Sequence, residues 1–255
     1  EIASCLVGSE MCIRDRSIPV SAASIRERLE LVRENIARAL ERSGRREWPR
    51  ILVATKYYEP DQISALREAG VRLVGENRAQ DLIRKQELFG DSFEWHFIGH
   101  LQRRKARLVV PRVTLIHSVD SVRLIEELAR RAPEGGTDVL LQVNVSGEES
   151  KYGVEPGGVE RLLEAAAASG KVRVRGFMTL APLVEDPENV RYVFAQLREI
   201  RDRLRGSWRP HFDLSELSMG MSNDYPVAVE EGSRLVRGGR TLIEEDGSAR
   251  RQDGS

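Results

Sequence analysis

The amino-acid sequence predicts a single α/β domain, a (β/α)8 barrel of the TIM type with an extra N-terminal helix. Short apolar runs rich in β-branched residues recur along the 255-residue chain, and helical periodicity follows each run except the last. Eight such strand–helix units over roughly 200 residues are typical of this barrel. An open doubly wound sheet is the alternative, but no GxGxxG motif follows the first run. We therefore predict the barrel.

One predicted helix precedes the first strand. Its apolar residues step by three or four positions, and Gly44 is expected to end it. These apolar residues are Ile25, Leu29, Val32, Ile36 and Leu40. The predicted strands follow in order at residues 51–54, 71–77, 94–100, 115–119, 139–145, 172–180, 216–220 and 234–238.

Several of the intervening helices begin at typical capping residues. Asp120 or Ser121 is expected to cap the helix after the fourth strand. Pro156 is expected to open the helix after the fifth strand. Asp186 and Pro187 together provide a cap and a first-turn proline for the helix after the sixth strand.

The two ends of the chain do not continue the pattern. Residues 1–16 are predicted to be a non-native or disordered leader, residues 17–243 to form the barrel, and residues 244–255 to be a disordered tail. Both cysteines, Cys5 and Cys12, lie in the leader, so we expect no disulfide framework in the barrel. A reducing, cytoplasmic location follows from this cysteine usage.

The charge and hydropathy of the sequence limit the kinds of partner that the protein is expected to bind. Forty basic residues balance forty acidic ones, so the chain has no overall field that would attract nucleic acid. The basic cluster Arg103-Arg104-Lys105 is interpreted as a solvated helix face. No apolar run approaches the ~20 residues that span a bilayer. We expect a monomer that binds neither nucleic acid nor membrane.

The segment ILVATKYYEP (51–60) places Lys56 just past the first predicted strand. (β/α)8 barrels carry their chemistry at the carboxyl ends of the strands. A strand-end lysine that merely reaches water is the alternative interpretation. Two motifs near the C-terminal end of the sequence favour a functional role for Lys56 over this alternative.

Two turns of small residues end the last two strands. Residues 218–222 read Ser-Met-Gly-Met-Ser and precede a helix, where backbone amides form a ready anion site. The eighth strand ends with Arg237-Gly238-Gly239, whose glycines allow close approach of a ligand. The loops after strands seven and eight commonly bind phosphate in such barrels.

A lysine that faces a phosphate site predicts pyridoxal 5'-phosphate (PLP) as the cofactor. The aldehyde forms a Schiff base with an amine, and partial desolvation lowers the pKa of a lysine enough to supply one. The ring nitrogen takes an acid or an arginine as its partner, and Arg237 is placed for this role. A surface ion pair is the alternative role for Arg237.

Eight ordered motifs resemble the pyridoxal phosphate homeostasis protein family, which is related to the barrel domain of alanine racemase. The resemblance covers about residues 25–243. The motifs are ILVATKYYEP (51–60), VGENRAQ (74–80), HFIGHLQRRK (96–105), IHSVDS (116–121), QVNVSGEESKYGV (142–154), RGFMTLAP (175–182), SMGMSNDY (218–225) and VRGGR (236–240).

The resemblance implies a role for individual residues. Lys56 would carry PLP as a Schiff base, Arg237 would meet the pyridine nitrogen, and Asn77 would line the ring side of the pocket. The phosphate would be held by Ser222 and Gly239 with the neighbouring backbone. The complete predicted cofactor-binding set is Lys56, Asn77, Ser218, Met219, Gly220, Ser222, Arg237, Gly239 and Thr241.

The expected function is to carry and buffer PLP and to maintain intracellular vitamin B6 and amino-acid homeostasis without substrate turnover. PLP-dependent apoenzymes are candidate recipients. A weak PLP-dependent racemase is the alternative, and a barrel for some other phosphorylated ligand is a third hypothesis. In the related racemase a second domain supplies the base opposite the lysine, and we expect no such domain in this sequence.

The histidines suggest no further chemistry. His96 and His100 lie four residues apart on a predicted strand, which would separate them, so we expect no metal site. His117 is interpreted as a packed or turn-bound residue. No Ser-His-Asp arrangement and no P-loop motif is found in the sequence.

Overall fold

Eight parallel strands close into a barrel in chain order in the computed structural model, and the last strand pairs with the first. The structure describes residues 21–56, 58–148, 152–239 and 242. The strands are β1 Arg50–Ala54, β2 Leu73–Glu76, β3 Glu94–Phe97, β4 Leu115–Val119, β5 Thr137–Gln142, β6 Val172–Met178, β7 Glu216–Ser218 and β8 Leu235–Gly238. The predicted barrel is confirmed, although most strands are shorter than the apolar runs that predicted them.

Helices cover the outside of the barrel, and the extra helix before β1 is confirmed. The predicted leader and tail, residues 1–16 and 244–255, lie outside the described residues and remain predictions. The helices are α1 Ala22–Ser43, α2 Pro60–Glu68, α3 Ala79–Phe89, α4 Ala106–Val109, α5 Val122–Arg131, α6 Val159–Ser169, α7 Arg191–Trp208 and α8 Tyr225–Glu230.

Helix α1 is defined at both ends by its sequence. Ser21 caps it, because its hydroxyl accepts a hydrogen bond from the Ser24 amide, and Gly44 ends it in the left-handed conformation with φ 68°. The buried face of α1 packs on α2 and α8. Asn35 donates a hydrogen bond of 2.8 Å to the Tyr225 hydroxyl, so α1 supports the segment that follows β7.

Some of the predicted capping residues begin a 3-10 turn, and the α-helix starts only after that turn. Ser121, and not Asp120, occupies the cap position of α5. Pro156 opens a single 3-10 turn that leads into α6. Asp186 accepts a hydrogen bond from the Glu188 amide at the start of another 3-10 turn, which leads into α7.

Side chains alternate between two environments along the strands. Outward-facing residues pack against the helices in the larger hydrophobic core. Inward-facing apolar residues form a separate, smaller cluster inside the barrel: Leu52, Leu73, Leu115, Leu140, Met178 and Leu235. The barrel interior is also the location of buried polar side chains: His96, His117, Gln142, Ser218 and Arg237. The interior is therefore more polar than the branched apolar layers that are usual for this fold.

Strand β6 depends on a glycine. Gly176 has φ +152°, and a Cβ added to it would overlap the Glu216 carbonyl oxygen of the neighbouring β7. The pairing of β5 with β6 shifts register next to it, between Val139 and Leu140. This glycine therefore lets β6 and β7 approach each other closely.

We expect Gly176→Ala to lower the free energy of unfolding by at least ~2 kcal/mol, because strained backbone and overpacking add. Gly206→Ala is the matched control. The Cβ added at Gly206, near the end of α7, has no neighbour within 4 Å, so this change should stabilise the protein by up to ~1 kcal/mol. Urea unfolding of both variants measures the difference, and equal stabilities would contradict the close contact.

Candidate functional site

Lys56 and Arg237 come from neighbouring strands at the same end of the barrel. Strands β1 and β8 are paired with Leu52 opposite Arg237 and Val53 opposite Gly238. Lys56 lies in the turn just past β1 and is exposed. The partial desolvation that the sequence predicts for this lysine is therefore not observed, although its position at the barrel mouth is as expected.

A buried ion pair supports the backbone just before Lys56. The Lys85 ammonium lies 2.5 Å from Glu76 Oε1 and donates a 2.6 Å hydrogen bond to the Thr55 carbonyl. The Thr55 hydroxyl donates to the same carboxylate oxygen at 2.5 Å. Lys85 and Glu76 are 2% and 0% exposed, so these bonds form in a water-free environment. They link β1, β2 and α3 beneath Lys56.

Tyr58 links the ends of β1 and β8. Its hydroxyl donates a 2.8 Å hydrogen bond to the Gly239 carbonyl. Burial raises the pKa of Tyr58 well above its usual value, so the phenol stays neutral. The sequence alone does not identify this residue, because it looks like one of two tyrosines in a turn.

Arg237 lies inside the barrel and not on the surface. It is 6% exposed, and its guanidinium donates to Ser218 Oγ at 2.5 Å and to the Thr179 carbonyl at 2.8 Å. Burial lowers the pKa of Arg237 to about 10, which leaves it protonated at neutral pH. The alternative of a surface ion pair is wrong, since no carboxylate pairs with Arg237 in the described part of the chain.

The segment after β7 is a tight loop. Ser218 is fully buried under Arg237, and the Met219 amide is used in the sheet, where it donates to the Leu235 carbonyl at 3.1 Å. Gly220 has φ +90°, and a Cβ there would lie 2.9 Å from the Cα of Tyr225. Ser222 follows and is half-buried. The loop therefore brings backbone close to the mouth where a larger residue would not fit.

Asp224 closes this loop. Its Oδ1 accepts a 2.5 Å hydrogen bond from the Met221 amide. Burial raises the pKa of Asp224, while the Met221 hydrogen bond and the charge of Arg237 act in the opposite direction. The carboxylate fixes the loop that contains Ser222 just ahead of α8.

The segment just after β8 also requires a glycine, because another part of the backbone lies close to it. A Cβ added to Gly239 would lie 2.5 Å from the Ala54 carbonyl oxygen at the end of β1. Thr241, which belongs to the predicted phosphate set, lies outside the described residues. At both Gly239 and Gly220 an added Cβ would meet atoms of the protein itself, so these glycines let the loops after β7 and β8 pack closely at the end of the barrel where phosphate binds in such folds.

Asn77 follows β2 and has an unsatisfied acceptor. Its Oδ1 is buried without a hydrogen-bond partner among the described residues, while its amide donates to Glu76 Oε2 at 3.2 Å. Buried acceptors are nearly always satisfied in folded proteins, so an orphan at a barrel mouth suggests a missing ligand contact. The unsatisfied oxygen of Asn77 therefore fits a polar group bound at this end of the barrel.

The structure brings the predicted residues together only in part. Lys56, Asn77, Gly220, Ser222 and Gly239 all lie on loops at the carboxyl-terminal end of the strands. Ser218 and the Met219 side chain are buried below them, in contact with the barrel wall. Whether these residues bind a cofactor stays a prediction.

Two further expectations concern metals and membranes. Among the described residues no group of three His, Cys, Asp or Glu side chains could hold a metal ion. His100 instead stacks on Tyr152 with the ring centroids 3.8 Å apart. No helix in the described ranges is long and apolar enough to cross a membrane.

Comparison with known proteins identifies the class to which this barrel belongs. The family model described as alanine racemase, N-terminal domain, matches residues 28–244. The alanine racemase of Corynebacterium glutamicum has the same fold, with a TM-score of 0.65 at 12% identity over 88% of this chain and 61% of the racemase. The protein is thus an alanine racemase-type barrel.

More similar relatives narrow the class to one family. A pyridoxal phosphate homeostasis protein of Aquifex aeolicus (strain VF5) is 44% identical over 223 residues, which cover 86% of this chain and 97% of the relative. PipY of Synechococcus elongatus PCC7942, whose structure is known with PLP bound, is 34% identical with a TM-score of 0.74 over 86% of this chain and 100% of PipY. The chain belongs to the pyridoxal phosphate homeostasis protein family, as its motifs predict.

We expect Lys85→Met to lower the free energy of unfolding by about 3–5 kcal/mol, because it leaves the Glu76 carboxylate buried without its cation. Adding Glu76→Gln should recover most of the loss, since the charge is then removed. Arg33→Met serves as the control, because the Arg33–Glu30 pair is exposed and should contribute less than ~1 kcal/mol. Chemical unfolding measures all three, and a single variant as stable as the double variant would contradict this account.

Proposed function

We propose that this chain binds PLP at the carboxyl-terminal end of the barrel, and carries and buffers the cofactor without turning over a substrate. In this role it would maintain intracellular vitamin B6 and amino-acid homeostasis. The observation that carries the proposal is the pairing of β1 with β8. It places Lys56 and the buried Arg237 on neighbouring strands at the same end of the barrel, and Arg237 forms no ion pair in the described residues. The PLP-bound structure of PipY supports the proposal.

The residues at the mouth divide the binding between them. Lys56 supplies an amine that can capture an aldehyde, and its exposed position suits rapid exchange of the cofactor. The loops with Ser222 and Gly239 offer backbone and hydroxyl donors to the phosphate. The unsatisfied Oδ1 of Asn77 offers an acceptor to the ring side.

Arg237 determines how the cofactor behaves when it is bound. PLP supplies an aldehyde and a pyridine ring that withdraws electrons most strongly when its nitrogen is protonated. A guanidinium can only donate hydrogen bonds, so a ring nitrogen that meets Arg237 must accept and remain unprotonated. Arg237 therefore favours binding over carbanion chemistry.

A weak PLP-dependent racemase is the second candidate, and one observation favours it. His100 and Tyr152 stack on each other in the loops after β3 and β5, at the same end of the barrel as Lys56. Such a pair could exchange a proton with a substrate bound at this end of the barrel. The carrier function is preferred because the arginine would weaken the electron withdrawal that a racemase needs.

The proposal also covers the recipients of the cofactor, the location of the protein and its oligomeric state. A carrier with an exposed lysine at an open barrel mouth can deliver PLP to apoenzymes, which are the proposed recipients. We place this exchange in the cytoplasm and expect a monomer.

We expect borohydride treatment of the PLP-loaded protein to fix the cofactor on Lys56, and peptide mass mapping locates the adduct. Lys56→Ala should abolish the visible absorbance of the loaded protein. Lys171→Ala is the matched control, because Lys171 is an exposed lysine at the start of β6, at the opposite end of the barrel. An adduct mainly on Lys105 or Lys151 would overturn the assignment of Lys56.

We expect alanine in heavy water to exchange its α-proton slowly with the loaded protein, far below the ~10 per second typical of enzymes. Proton NMR of the alanine α-position measures the rate. A rate near that value, lost in both Lys56→Ala and Tyr152→Phe, would favour the racemase. A rate that Tyr152→Phe leaves unchanged would exclude the His100–Tyr152 pair as the second acid–base group.

A further inference from the structure

A chain of hydrogen bonds crosses the interior of the barrel. Arg237 Nη1 lies 2.5 Å from Ser218 Oγ, which in turn lies 2.9 Å from His117 Nδ1. His117 Nε2 lies 2.9 Å from His96 Nδ1, and His96 Nε2 lies 2.9 Å from Glu94 Oε1. The five residues come from β8, β7, β4 and β3, and we refer to them as the interior relay.

The relay joins the two ends of the barrel. Ser218, His117 and His96 are at most 1% exposed, whereas the Glu94 side chain is 41% exposed. Glu94 and His96 line a cavity of about 260 Å³ at the amino-terminal ends of the strands. Arg237 lies at the other end, just below the mouth. The relay therefore runs from a solvent-accessible opening to the proposed cofactor pocket.

Only one direction of donation satisfies every member of the relay. Arginine only donates hydrogen bonds, and a carboxylate only accepts them. If each imidazole is neutral and has one N–H, Ser218 donates to His117, His117 donates to His96, and His96 donates to Glu94. Both rings are then protonated at Nε2. The reverse direction would require a protonated Glu94.

Electrostatics favour this direction. The hydrogen bond from His96 holds the pKa of Glu94 down at about 2, so the carboxylate is ionised. Burial lowers the pKa of both histidines, so both rings are neutral at pH 7. The charged groups that act on His96 from other strands are Arg50 on β1, which lowers its pKa, and Glu216 on β7, which raises it.

The direction of the relay fixes the role of Ser218. Because its hydroxyl hydrogen is committed to His117, only its lone pairs face Arg237. The guanidinium is then held at two neutral acceptors, Ser218 Oγ and the Thr179 carbonyl. Without an acceptor at His117, the serine hydroxyl could rotate and turn its hydrogen toward the arginine.

On the basis of the proposed function, we propose that Glu94, His96 and His117 are positioning residues for the cofactor. They keep Ser218 as an acceptor and so hold the Arg237 guanidinium in the orientation that meets the pyridine nitrogen. The far end of the barrel thus controls the ring end of the pocket and leaves the phosphate end unaffected.

The direction of the relay can be measured in the unaltered protein. Nitrogen-15 NMR of labelled histidine distinguishes the two neutral tautomers, and we expect both His96 and His117 to carry the proton on Nε2. Glu94→Lys places a donor at the open end and should move both protons to Nδ1. Glu216→Lys makes the same charge change in the same cavity and should leave both tautomers unchanged. Nδ1 protonation of either ring in the unaltered protein would overturn the proposal.

The effect on the pocket is tested with two ligands, PLP and inorganic phosphate. His117→Phe removes the acceptor and should weaken PLP binding by roughly tenfold, comparable to the loss of an outer partner at a metal site. Phosphate binding should not change. His117→Asn puts a carbonyl oxygen near the position of Nδ1 and should restore most of the PLP affinity. Ser222→Asp is the comparison variant at the phosphate end, because it should weaken the binding of both PLP and phosphate.

The outcomes separate this proposal from the proposed function. Equal loss of PLP and phosphate in His117→Phe, without rescue by His117→Asn, would mean that the variant merely loosens the barrel and would overturn the positioning role. If His117→Phe does not fold, Glu94→Lys carries the same test, and unchanged PLP affinity there would overturn it. An unaltered protein that binds no PLP would instead refute the proposed function.

Discussion

A buried guanidinium that forms no direct ion pair among the described residues is the constraint on which this barrel depends. Taking the Arg237 charge out of water costs several kcal/mol unless it is well hydrogen-bonded. In the described residues two neutral oxygens, from Ser218 and Thr179, hold it. An adjacent carboxylate would stabilise the arginine better but would also neutralise it. The interior therefore stabilises Arg237 through neutral acceptors and leaves its charge without a direct counter-ion among the described residues.

A second buried cation in the same domain does form a direct ion pair. Lys85 is paired directly with Glu76, and the pair is also hydrogen-bonded to Thr55 and to the backbone amide of Asn77. This pair has no charge left over for a ligand, and it stabilises the junction of β1 and β2 below Lys56. The two buried cations thus differ in their partners: Lys85 is paired with a carboxylate, whereas Arg237 donates to neutral oxygens.

Local patterns in the sequence were enough for the barrel and for the two charged residues at its mouth. Apolar runs predict strands because a parallel strand is buried on both faces, and Lys56 and Arg237 stand out because they end such runs. The interior relay could not be predicted in this way. His117 was interpreted as packed, and its contact with His96 depends on the register of β3 against β4, where His96 lies opposite Leu115. Such register is a non-local property. Tyr58 and the Lys85–Glu76 pair were missed for the same reason.

The two ends of the barrel are physically linked because its core is polar along one path. In most barrels of this fold, packed layers of branched apolar side chains fill the interior between the two ends. Here a negative charge on Glu94 and a positive charge on Arg237 are joined through neutral donors and acceptors that all point the same way. Hydrogen bonds in such a series polarise one another. The apolar cluster with Leu52 and Leu235 occupies much of the remaining interior, so the series of hydrogen bonds lies in a buried, largely apolar surrounding.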